Sequence, residues 1–484
     1  MARNKIVEVP RNAFVEADVE QSVLLIDARN YYRTLYRALS QAHGYALVSG
    51  WQFETGVPLL RGKDAEHAEH PLKFLEFLVA CCEARPALKI YLLAWEYSFV
   101  YAKEREWGQA EKFNQAHPNI VFRWDPHPLG NASHHQKFVV VDGAVGFLGG
   151  IDICDARWDD CDHRAEHPDR VNVAGDPCKP YHDLQAGVGG DIVASLARIF
   201  VERWQRATEQ PLQLPALDPG ERARFDLLEL SGDCAEPILA SRAALSRTQV
   251  DPRAESAHIG EVQRLFADAI AAAERSIYAE TQYFTSRAVA KMFIARMRDA
   301  ALPKLDIVVV LPHGADTPLE KLALEDAQEG VLQALLDTAR ETGHELRLLY
   351  PASRTEDGGE KPTFIHSKVL IVDNRLLMTG SPNFTERSVA LDTELAISWQ
   401  SAQDGDPLSR SIEKIRSKLL CEHSGVSADE FAAPRRLCAV IDQLLERGDT
   451  RLRRREVLEP GPLGPLFAEL FDPGDDALAN APLP

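Results

Sequence analysis

The chain alternates short apolar runs with longer segments in which apolar residues recur every three or four positions. In the first half the apolar runs fall at 22–27, 45–51, 88–95, 119–124 and 137–143, and the helical patterns at 28–42, 70–84 and 192–207. Such runs separated by amphipathic helical patterns are typical of buried strands covered by helices. The pattern therefore predicts an α/β half built on a mixed, mostly parallel sheet flanked by helices.

The same cycle begins again after a proline-marked stretch at 209–224. Apolar runs recur at 277–284, 305–312, 345–351 and 367–373, and helical patterns at 259–276, 286–301 and 329–343. A repeated order of elements indicates two copies of one structural unit. We therefore predict two similar α/β halves, packed with pseudo-two-fold symmetry around one active site.

The boundaries of these units follow from the proline-rich stretch and from the point where the pattern thins. The predicted units are an N-terminal half at 20–210, a linker at 211–224, a C-terminal half at 225–420, and a helical, Pro- and Gly-rich extension at 421–484. The end of the extension has one short apolar segment, so we expect a loosely ordered tail that docks, if at all, through Phe467 and Phe471.

One polar motif occurs once in each half, at the start of a predicted strand. The two copies are His135-Gln-Lys137-x₄-Asp142 and His366-Ser-Lys368-x₄-Asp373. Each copy is followed, after the same number of intervening residues, by a pair of small residues, Gly149-Gly150 and Gly380-Ser381. A single match would be weak, because these residue types are common at strand ends. Two matches at equivalent places of a repeat are a specific signal.

The spacing within the motif predicts which side chains share a face. Side chains alternate between the two faces of a strand, so each histidine and the lysine two residues later point the same way. The aspartates lie at an odd offset from their histidines and are expected on the other face. We therefore interpret Asp142 and Asp373 as structural residues that hold the following turn, and His134, beside His135, also as structural.

Two histidines and two lysines that meet at one interface suit the cleavage of a phosphodiester. The lysine ammonium groups can neutralise the non-bridging oxygens as charge builds in the transition state. One neutral imidazole can attack phosphorus while the other, protonated, donates to the leaving oxygen. These groups supply nucleophile, acid and charge, so the chemistry requires no metal.

The charge balance narrows the class of partner. The 484 residues include 73 acidic and 54 basic side chains, for a net charge of −19. A nucleic-acid backbone would be repelled by such a chain, so we expect no nucleic-acid partner. The N-terminus lacks the apolar core of a signal peptide, and no apolar run is long enough to span a membrane. The sequence thus predicts a cytoplasmic protein, with any membrane contact peripheral.

One group of soft side chains raises the question of a metal site. The group consists of Cys154, Cys161, His163, His167, Cys178 and His182. Its spacing contains no C-x₂-C pair, so we interpret it as structural and predict no metal ligands. In a cytosolic chain the cysteines are expected to be reduced.

The duplicated motif resembles the HKD motifs of the phospholipase D superfamily, and the resemblance covers roughly residues 20–420. Four further stretches are similar to segments of that family: "GGIDICDARWDD" (149–160), "PYHDLQAGVGG" (180–190), "AETQYF" (279–284) and "GSPNFTERSVALDTELAI" (380–397). Nuclease-like and cardiolipin-synthase-like members tend to have Asn after both small pairs. Here Asn383 follows the second pair but Asp152 follows the first, as in true phospholipases D. Tyr181 replaces the usual Trp, and Leu391 the usual Arg.

The resemblance implies specific roles for several residues. His135 would be the nucleophile that forms a phosphohistidine, and His366 the general acid, with Lys137 and Lys368 as the cations. Glu394 and Asp183 match positions that hold the histidines, and the pairing between them is left open. The residues implied to seat the phosphate are Asn383, Ser381, Gly149 and Gly150.

The implied activity is removal of the head group of a glycerophospholipid at a membrane surface. Water as acceptor would give phosphatidic acid, and an alcohol would give a new phosphatidyl ester. No cofactor is required by the chemistry, and dependence on calcium is left open. Both half-sites lie on one chain, so a monomer suffices. The alternatives are a cardiolipin-synthase-like phosphatidyltransferase, a nuclease, which the acidic charge disfavours, and a non-catalytic binding protein.

Overall fold

The computed structural model describes residues 5–96, 106–215, 225–232, 235–250, 258–314, 318–431, 436–458 and Asp472, with the backbone alone at 318–325. Most of the predicted linker, and Phe467 and Phe471 in the extension, lie outside these residues. The described strands are β1 (Val15–Asp18), β2 (Gln21–Ile26), β3 (Tyr45–Gly50), β4 (Lys89–Glu96), β5 (Ile120–Pro126), β6 (Phe138–Val141), β7 (Val145–Gly149), β8 (Tyr181–His182), β9 (Leu184–Gly189), β10 (Ala235–Pro237), β11 (Arg242–Val250), β12 (His258–Gly260), β13 (Ser276–Glu280), β14 (Asp306–Val310), β15 (Glu345–Arg354), β16 (Glu360–Pro362), β17 (Phe364–Ile365), β18 (Val369–Val372), β19 (Leu376–Gly380), β20 (Glu394–Gln400) and β21 (Leu452–Arg454).

Helices flank these strands in both halves, and two short 3₁₀ turns, Gly62–His67 and Ala428–Glu430, accompany them. The described α-helices are α1 (Asp27–Ser40), α2 (Phe74–Ala84), α3 (Gln109–Ala116), α4 (Ile192–Thr208), α5 (Leu227–Leu230), α6 (Glu261–Ala271), α7 (Arg287–Arg298), α8 (Pro318–Thr342), α9 (Glu386–Ala390), α10 (Pro407–Ser424) and α11 (Leu437–Arg447). Within the described part of the chain, no helix combines the length and the apolarity needed to cross a bilayer.

The strands form two large sheets, which confirms the predicted mixed α/β class. The N-terminal sheet has the order β10-β2-β9-β7-β6-β3-β4-β5, and the C-terminal sheet has the order β1-β11-β20-β19-β18-β13-β14-β15-β16. The centre of both sheets is the same, with a hairpin (β6-β7 or β18-β19) beside three parallel strands (β3-β4-β5 or β13-β14-β15). The motif strand is the first strand of the hairpin in each half.

The expectation of a mostly parallel sheet is wrong. Among the described pairs, only those within β3-β4-β5 and β13-β14-β15, and the small β8-β17 pair, are parallel. Helical crossovers connect the strands of those two triplets, whereas short turns join β6 to β7 and β18 to β19, and a short turn makes an antiparallel pair. Strands buried on both faces have continuous apolar runs in either direction, so the pattern could not separate the two cases.

A continuous apolar core joins the two halves. It includes Leu148 and Leu184 from the N-terminal sheet together with Val369 and Leu377 from the C-terminal sheet, all at most 3% exposed. Each sheet also takes an edge strand from the other part of the chain. The early strand β1 pairs with β11 of the C-terminal sheet, and β10 pairs with β2 of the N-terminal sheet. These contacts tie the sheets into one body, and the domain boundaries proposed from the sequence stay a prediction.

Candidate active site

The two motif strands meet because each half faces the other with the same end of its strands. Ser49, near the end of β3, is level with Phe138 at the start of β6. The equivalent register in the second half places Glu280 level with Val369. In each half, the carboxyl ends of the parallel strands therefore lie at the end of the sheet where the motif begins. Loops that follow the carboxyl ends of parallel strands commonly form binding sites.

Short backbone bridges between the halves fix each motif histidine. The N–H of His135 donates to the carbonyl oxygen of Thr393 at 2.9 Å, and the N–H of His366 donates to that of His182 at 2.8 Å. Each of these acceptors comes directly before a carboxylate, Glu394 or Asp183. The backbone thus brings each histidine next to an acidic residue of the opposite half.

The side chains complete this exchange. Nδ1 of His135 lies 3.0 Å from Oε2 and 3.1 Å from Oε1 of Glu394. Nδ1 of His366 lies 2.6 Å from Oδ2 of Asp183. Because Nδ1 is engaged in both rings, Nε2 is the nitrogen that can meet a substrate. The structure thus resolves the pairing that the sequence left open, with Glu394 on His135 and Asp183 on His366.

Glu394 is fully buried and held in its ionised form. Burial alone would raise its pKa, but electrostatic interaction with His135 and hydrogen bonds from His135, Ser381 and Ser388 lower the pKa below its ordinary value. The Ser388 hydroxyl donates to Oε1 at 2.7 Å, and the Ser381 hydroxyl donates to Oε2. Ser381 therefore orients the partner of His135, and its expected contact with the phosphate stays a prediction.

Asp183 occupies a similar place in the other half, against the first small pair. A Cβ added to Gly150 would lie 2.2 Å from Oδ1 of Asp183, and one on Gly149 would lie 2.3 Å from the carbonyl oxygen of Leu184. The two glycines thus make room for Asp183 and its strand, and their expected contact with the substrate stays a prediction. Burial raises the pKa of Asp183, partly opposed by Lys368.

The two motif lysines have different partners. Nζ of Lys137 lies 3.1 Å from Oδ2 of Asp152, whereas Nζ of Lys368 donates to Oε1 of Gln282 at 3.4 Å. Each lysine also donates to the carbonyl oxygen of its own motif histidine. Burial, partly offset by Asp183, lowers the pKa of Lys368 to about 7. The first lysine therefore has a carboxylate beside it, and the second has an amide.

His366 sits in a strongly cationic environment. Burial lowers the pKa of His366 well below its ordinary value, and Lys368, Arg157 and Lys137 lower it further. Arg157 lies with its guanidinium carbon 5.0 Å from the centre of the Tyr181 ring, and that ring is 5.5 Å from the ring of His366. Arg157, Gln282 and Ser388 fall in or beside the family-like stretches, but the motif spacing gave no signal for their roles.

The motif aspartates lie at the far end of their strands and, as expected, point away from the histidines. The carboxylate of Asp142 accepts the backbone N–H groups of His43, Gly44 and Tyr45 at 2.7–2.9 Å. The carboxylate of Asp373 makes the equivalent bonds at 2.8–3.0 Å, to the N–H groups of residues 274–276. They hold the segments that enter β3 and β13 rather than the following turn.

The remaining predicted residues also have clear positions. Asn383 is 6% exposed, and its Oδ1 accepts the hydroxyl of Thr281 at 3.4 Å. His134 points to the face opposite His135, where its Nε2 lies 3.4 Å from Oδ1 of Asp125. Asn383 therefore lies in the wall of the site, whereas His134 does not.

A buried group of charged side chains lies directly behind the site. Asp27, His163, His182 and Glu422 each offer one ligand atom, all within 4.8 Å of one another, so they could hold a metal ion. Nδ1 of His163 also lies 2.9 Å from Asp159, and Nε2 of His182 lies 3.0 Å from Glu280. Carboxylates behind histidine ligands in this way orient them.

This group overlaps only in part with the soft side chains noted in the sequence. His163 and His182 belong to it, whereas Cys154 and Cys178 are free thiols outside it. Cys161 is disulfide-bonded, so the expectation that the cysteines are reduced is wrong at this residue. Asp27 and Glu422 come from distant parts of the chain and could not be linked to the histidines by spacing.

Comparison with known proteins identifies the family. The family model described as phospholipase D matches residues 123–301, and the model described as cardiolipin synthase, PLD-like domain, matches residues 266–416. The two matches include one motif each. The chain belongs to the phospholipase D superfamily.

Individual relatives agree with this membership at low identity. The chain is 23% identical to phospholipase D1 of Schizosaccharomyces pombe, over 90% of this chain and 37% of the relative. It is 24% identical to phospholipase D alpha 4 of Arabidopsis thaliana, over 84% of this chain and 65% of the relative. The chain thus spans less than two thirds of the length of these relatives.

A solved structure shares the fold. A phosphatidylserine synthase of Haemophilus influenzae superposes with a TM-score of 0.54 at 14% identity, covering 90% of this chain and 96% of that one. At this identity the similarity shows a shared fold only.

Proposed function

We propose that the protein is a phospholipase D-type phosphodiesterase that removes the head group of a glycerophospholipid. The observation that carries the proposal is the exchange of carboxylates between halves. Each carboxylate holds the imidazole of the opposite half through Nδ1, so that two imidazoles lie beside two lysines at one interface. The curated relatives named above, which are phospholipases D, support the same activity.

In the first step, Nε2 of His135 attacks phosphorus. A P–N bond forms, the bond from phosphorus to the head-group oxygen breaks, and His366 gives its proton to that oxygen. Lys137 and Lys368 neutralise the non-bridging oxygens while charge accumulates. Glu394 stabilises the positive charge that develops on the His135 ring.

In the second step, water replaces the head group. His366, now neutral, takes a proton from water as the water oxygen attacks phosphorus and the P–N bond breaks. The products are phosphatidic acid and free His135. An alcohol in place of water gives a phosphatidyl ester by the same step, so we propose transphosphatidylation as a second outcome. The chemistry requires no metal ion, because the four motif side chains supply each role.

Binding of the substrate prepares the acid. In the substrate-free site, burial and then the neighbouring cations keep His366 neutral, since both lower its pKa. A phosphodiester carries a negative charge, which offsets Lys368, Lys137 and Arg157 and so raises the pKa of His366. The acid therefore becomes protonated as the substrate enters.

The low pKa of Lys368 predicts how activity depends on pH. Lys368 must carry its proton to bind the phosphate, and its pKa is about 7. Above this value, loss of the Lys368 proton should add a further fall of about tenfold per pH unit to kcat/KM, which reports groups of the free enzyme. Arg157→Gln should move the midpoint upward, since Arg157 lowers the pKa of both Lys368 and His366.

Initial rates across pH 5–9 test this expectation. The matched control is Arg164→Gln, which changes a guanidinium that is 64% exposed on the same loop. It should leave the midpoint unchanged. An identical profile for wild type and Arg157→Gln would contradict the assigned electrostatics.

The proposed reaction itself is tested with phosphatidylcholine vesicles, with and without ethanol. We expect phosphatidic acid from wild type, and phosphatidylethanol in addition when ethanol is present. Neither product, with wild type and His135→Ala alike on every diester tried, would overturn the proposal. The match to a cardiolipin synthase-type model supports a second candidate, a phosphatidyltransferase. Condensation of phosphatidylglycerol to cardiolipin in place of hydrolysis would favour it.

The surroundings in which the protein works follow from the same proposal. The lipid substrate implies peripheral contact with a membrane surface, and both half-sites on one chain imply a monomer. The net charge of −19 opposes a nucleic-acid partner. We keep the cytoplasmic location that the sequence predicts as part of this proposal, since six of the described cysteines are free thiols and Cys161 alone among the described cysteines is disulfide-bonded.

A further inference from the structure

The reacting groups lie below the surface. The His135 side chain is 18% exposed and that of His366 is 9%, while that of Lys137 is 3%. If the substrate is a phospholipid, its phosphate must enter this recess while its acyl chains stay in the bilayer. The rim of the recess must then contact the lipid head groups.

An exposed tryptophan lies on that side of the molecule. Trp107 is 85% exposed and belongs to the connection between β4 and α3. Glu96, the last residue of β4, is at the same edge of the sheet as the first motif, because β4 runs parallel to β3. Glu106, next to Trp107, is hydrogen-bonded to Thr55, five residues beyond the end of β3, so Trp107 also lies at this end of the N-terminal sheet.

Contacts of the neighbouring residues anchor the segment that carries this tryptophan. Its neighbour Glu106 accepts the backbone N–H of Thr55 at 2.7 Å and also its hydroxyl, and Glu106 pairs with Lys112. On the other side, Phe113 of α3 is fully buried. Trp107 therefore projects between two anchored points, so its apolar ring is presented to solvent by the fold.

A second exposed apolar residue lies beside Gly56, which follows the Thr55 that holds Glu106. Val173 is 50% exposed, and a Cβ added to Gly56, next to Thr55, would lie 3.1 Å from its Cγ1. The backbone N–H of Val173 donates to the carboxylate of Asp155 at 3.0 Å. Asp155 lies in the loop between Asp152, which contacts Lys137, and Arg157. Trp107 and Val173 are therefore connected through short contacts to the reacting groups.

We propose that Trp107 and Val173 form the membrane-docking rim of the active site and insert into the head-group region of a zwitterionic phospholipid bilayer. The inference rests on the proposed function, which places the substrate in a bilayer. Tryptophan favours the membrane interface, because its ring is apolar and its N–H is polar. The net charge of −19 supplies no attraction to anionic lipids, so apolar insertion has to provide the affinity.

Binding is measured by flotation with phosphatidylcholine vesicles, in the His135→Asn background to prevent turnover. Trp107→Ala should weaken partitioning about tenfold, because an interfacial tryptophan contributes a large apolar area. Val173→Asp should weaken it as well, since a charge would enter the interface. The control is Leu239→Ala, which removes a side chain that is 56% exposed next to β10, at the opposite edge of the sheet.

Activity provides a second readout that separates docking from chemistry. With His135 intact, Trp107→Ala should lower turnover of vesicle phosphatidylcholine about tenfold and leave turnover of soluble dibutyryl phosphatidylcholine within about twofold. Two results would overturn the proposed docking rim. One is an equal loss of turnover on both substrates, and the other is unchanged vesicle partitioning of both Trp107→Ala and Val173→Asp. If wild type turns over neither lipid but still binds vesicles through Trp107, the docking surface stands and the proposed reaction fails.

Discussion

Replacement of His135 by asparagine is expected to abolish turnover, with kcat lowered on the order of 10⁵-fold, as for other residues that form the covalent intermediate. The Nε2 atom of His135 is the group that forms the bond to phosphorus, and asparagine offers no comparable nucleophile. The lysines would still bind the phosphate, so substrate affinity should change little. Both hydrolysis and transfer to ethanol should be lost together, because both pass through the same phosphohistidine.

The neighbouring histidine provides the control. His134→Asn makes the same substitution one residue earlier, where the side chain contacts Asp125 on the opposite face. Its kcat should stay within about tenfold of wild type. If both variants retain activity on phosphatidylcholine, His135 is not the nucleophile.

His366→Asn separates the two histidines by their roles. A p-nitrophenyl phosphodiester has a leaving group that needs no acid, so the first step should still occur in this variant. The second step lacks its base, so the protein should release about one equivalent of p-nitrophenol in a burst and then stop. Mass spectrometry should locate the phosphoryl group on His135. A phosphoryl group found on His366 in the His135→Asn variant would mean that His366 is the nucleophile and His135 the acid.

Local periodicity accounts for what the sequence predicted correctly. The alternation of a strand is set by neighbouring residues, so it placed His135 and Lys137 together and turned Asp142 away. The repeat then implied that a second pair would complete the site. The direction of strand pairing is not a local property, because a buried strand is apolar on both faces whichever way its neighbour runs. The sheet was therefore expected to be mostly parallel and is mostly antiparallel.

The carboxylates show the other limit of sequence reasoning. Glu394 and Asp183 were recognised as holding groups, but which histidine each one contacts depends on how two sheets pack. The decisive contacts are backbone bonds from His135 to Thr393 and from His366 to His182. Such bonds leave no pattern in composition or spacing. For the same reason the spacing did not join Asp27 and Glu422 to His163.

The exchanged carboxylates lead to a second large expected effect. Glu394→Gln should lower kcat about 10³–10⁴-fold while KM changes less than about threefold, as when a carboxylate behind a catalytic histidine is made neutral. The amide cannot stabilise the charged His135 ring or fix its proton on Nδ1. Glu413→Gln is the matched control, because it makes the same change on the exposed side of α10 and should leave both constants unaltered.

The two carboxylate variants should fail at different steps. Each substitution impairs the histidine of the opposite half, because each carboxylate contacts that histidine. Glu394→Gln, in the C-terminal half, impairs His135 and should slow the p-nitrophenol burst itself. Asp183→Asn, in the N-terminal half, impairs His366 and should leave the burst rate near that of wild type while slowing the following turnover about 10³-fold. On phosphatidylcholine, whose leaving group needs the acid, both variants should be slow. A purely structural role would affect both steps alike, and the reverse assignment of steps would mean that His366 is the nucleophile.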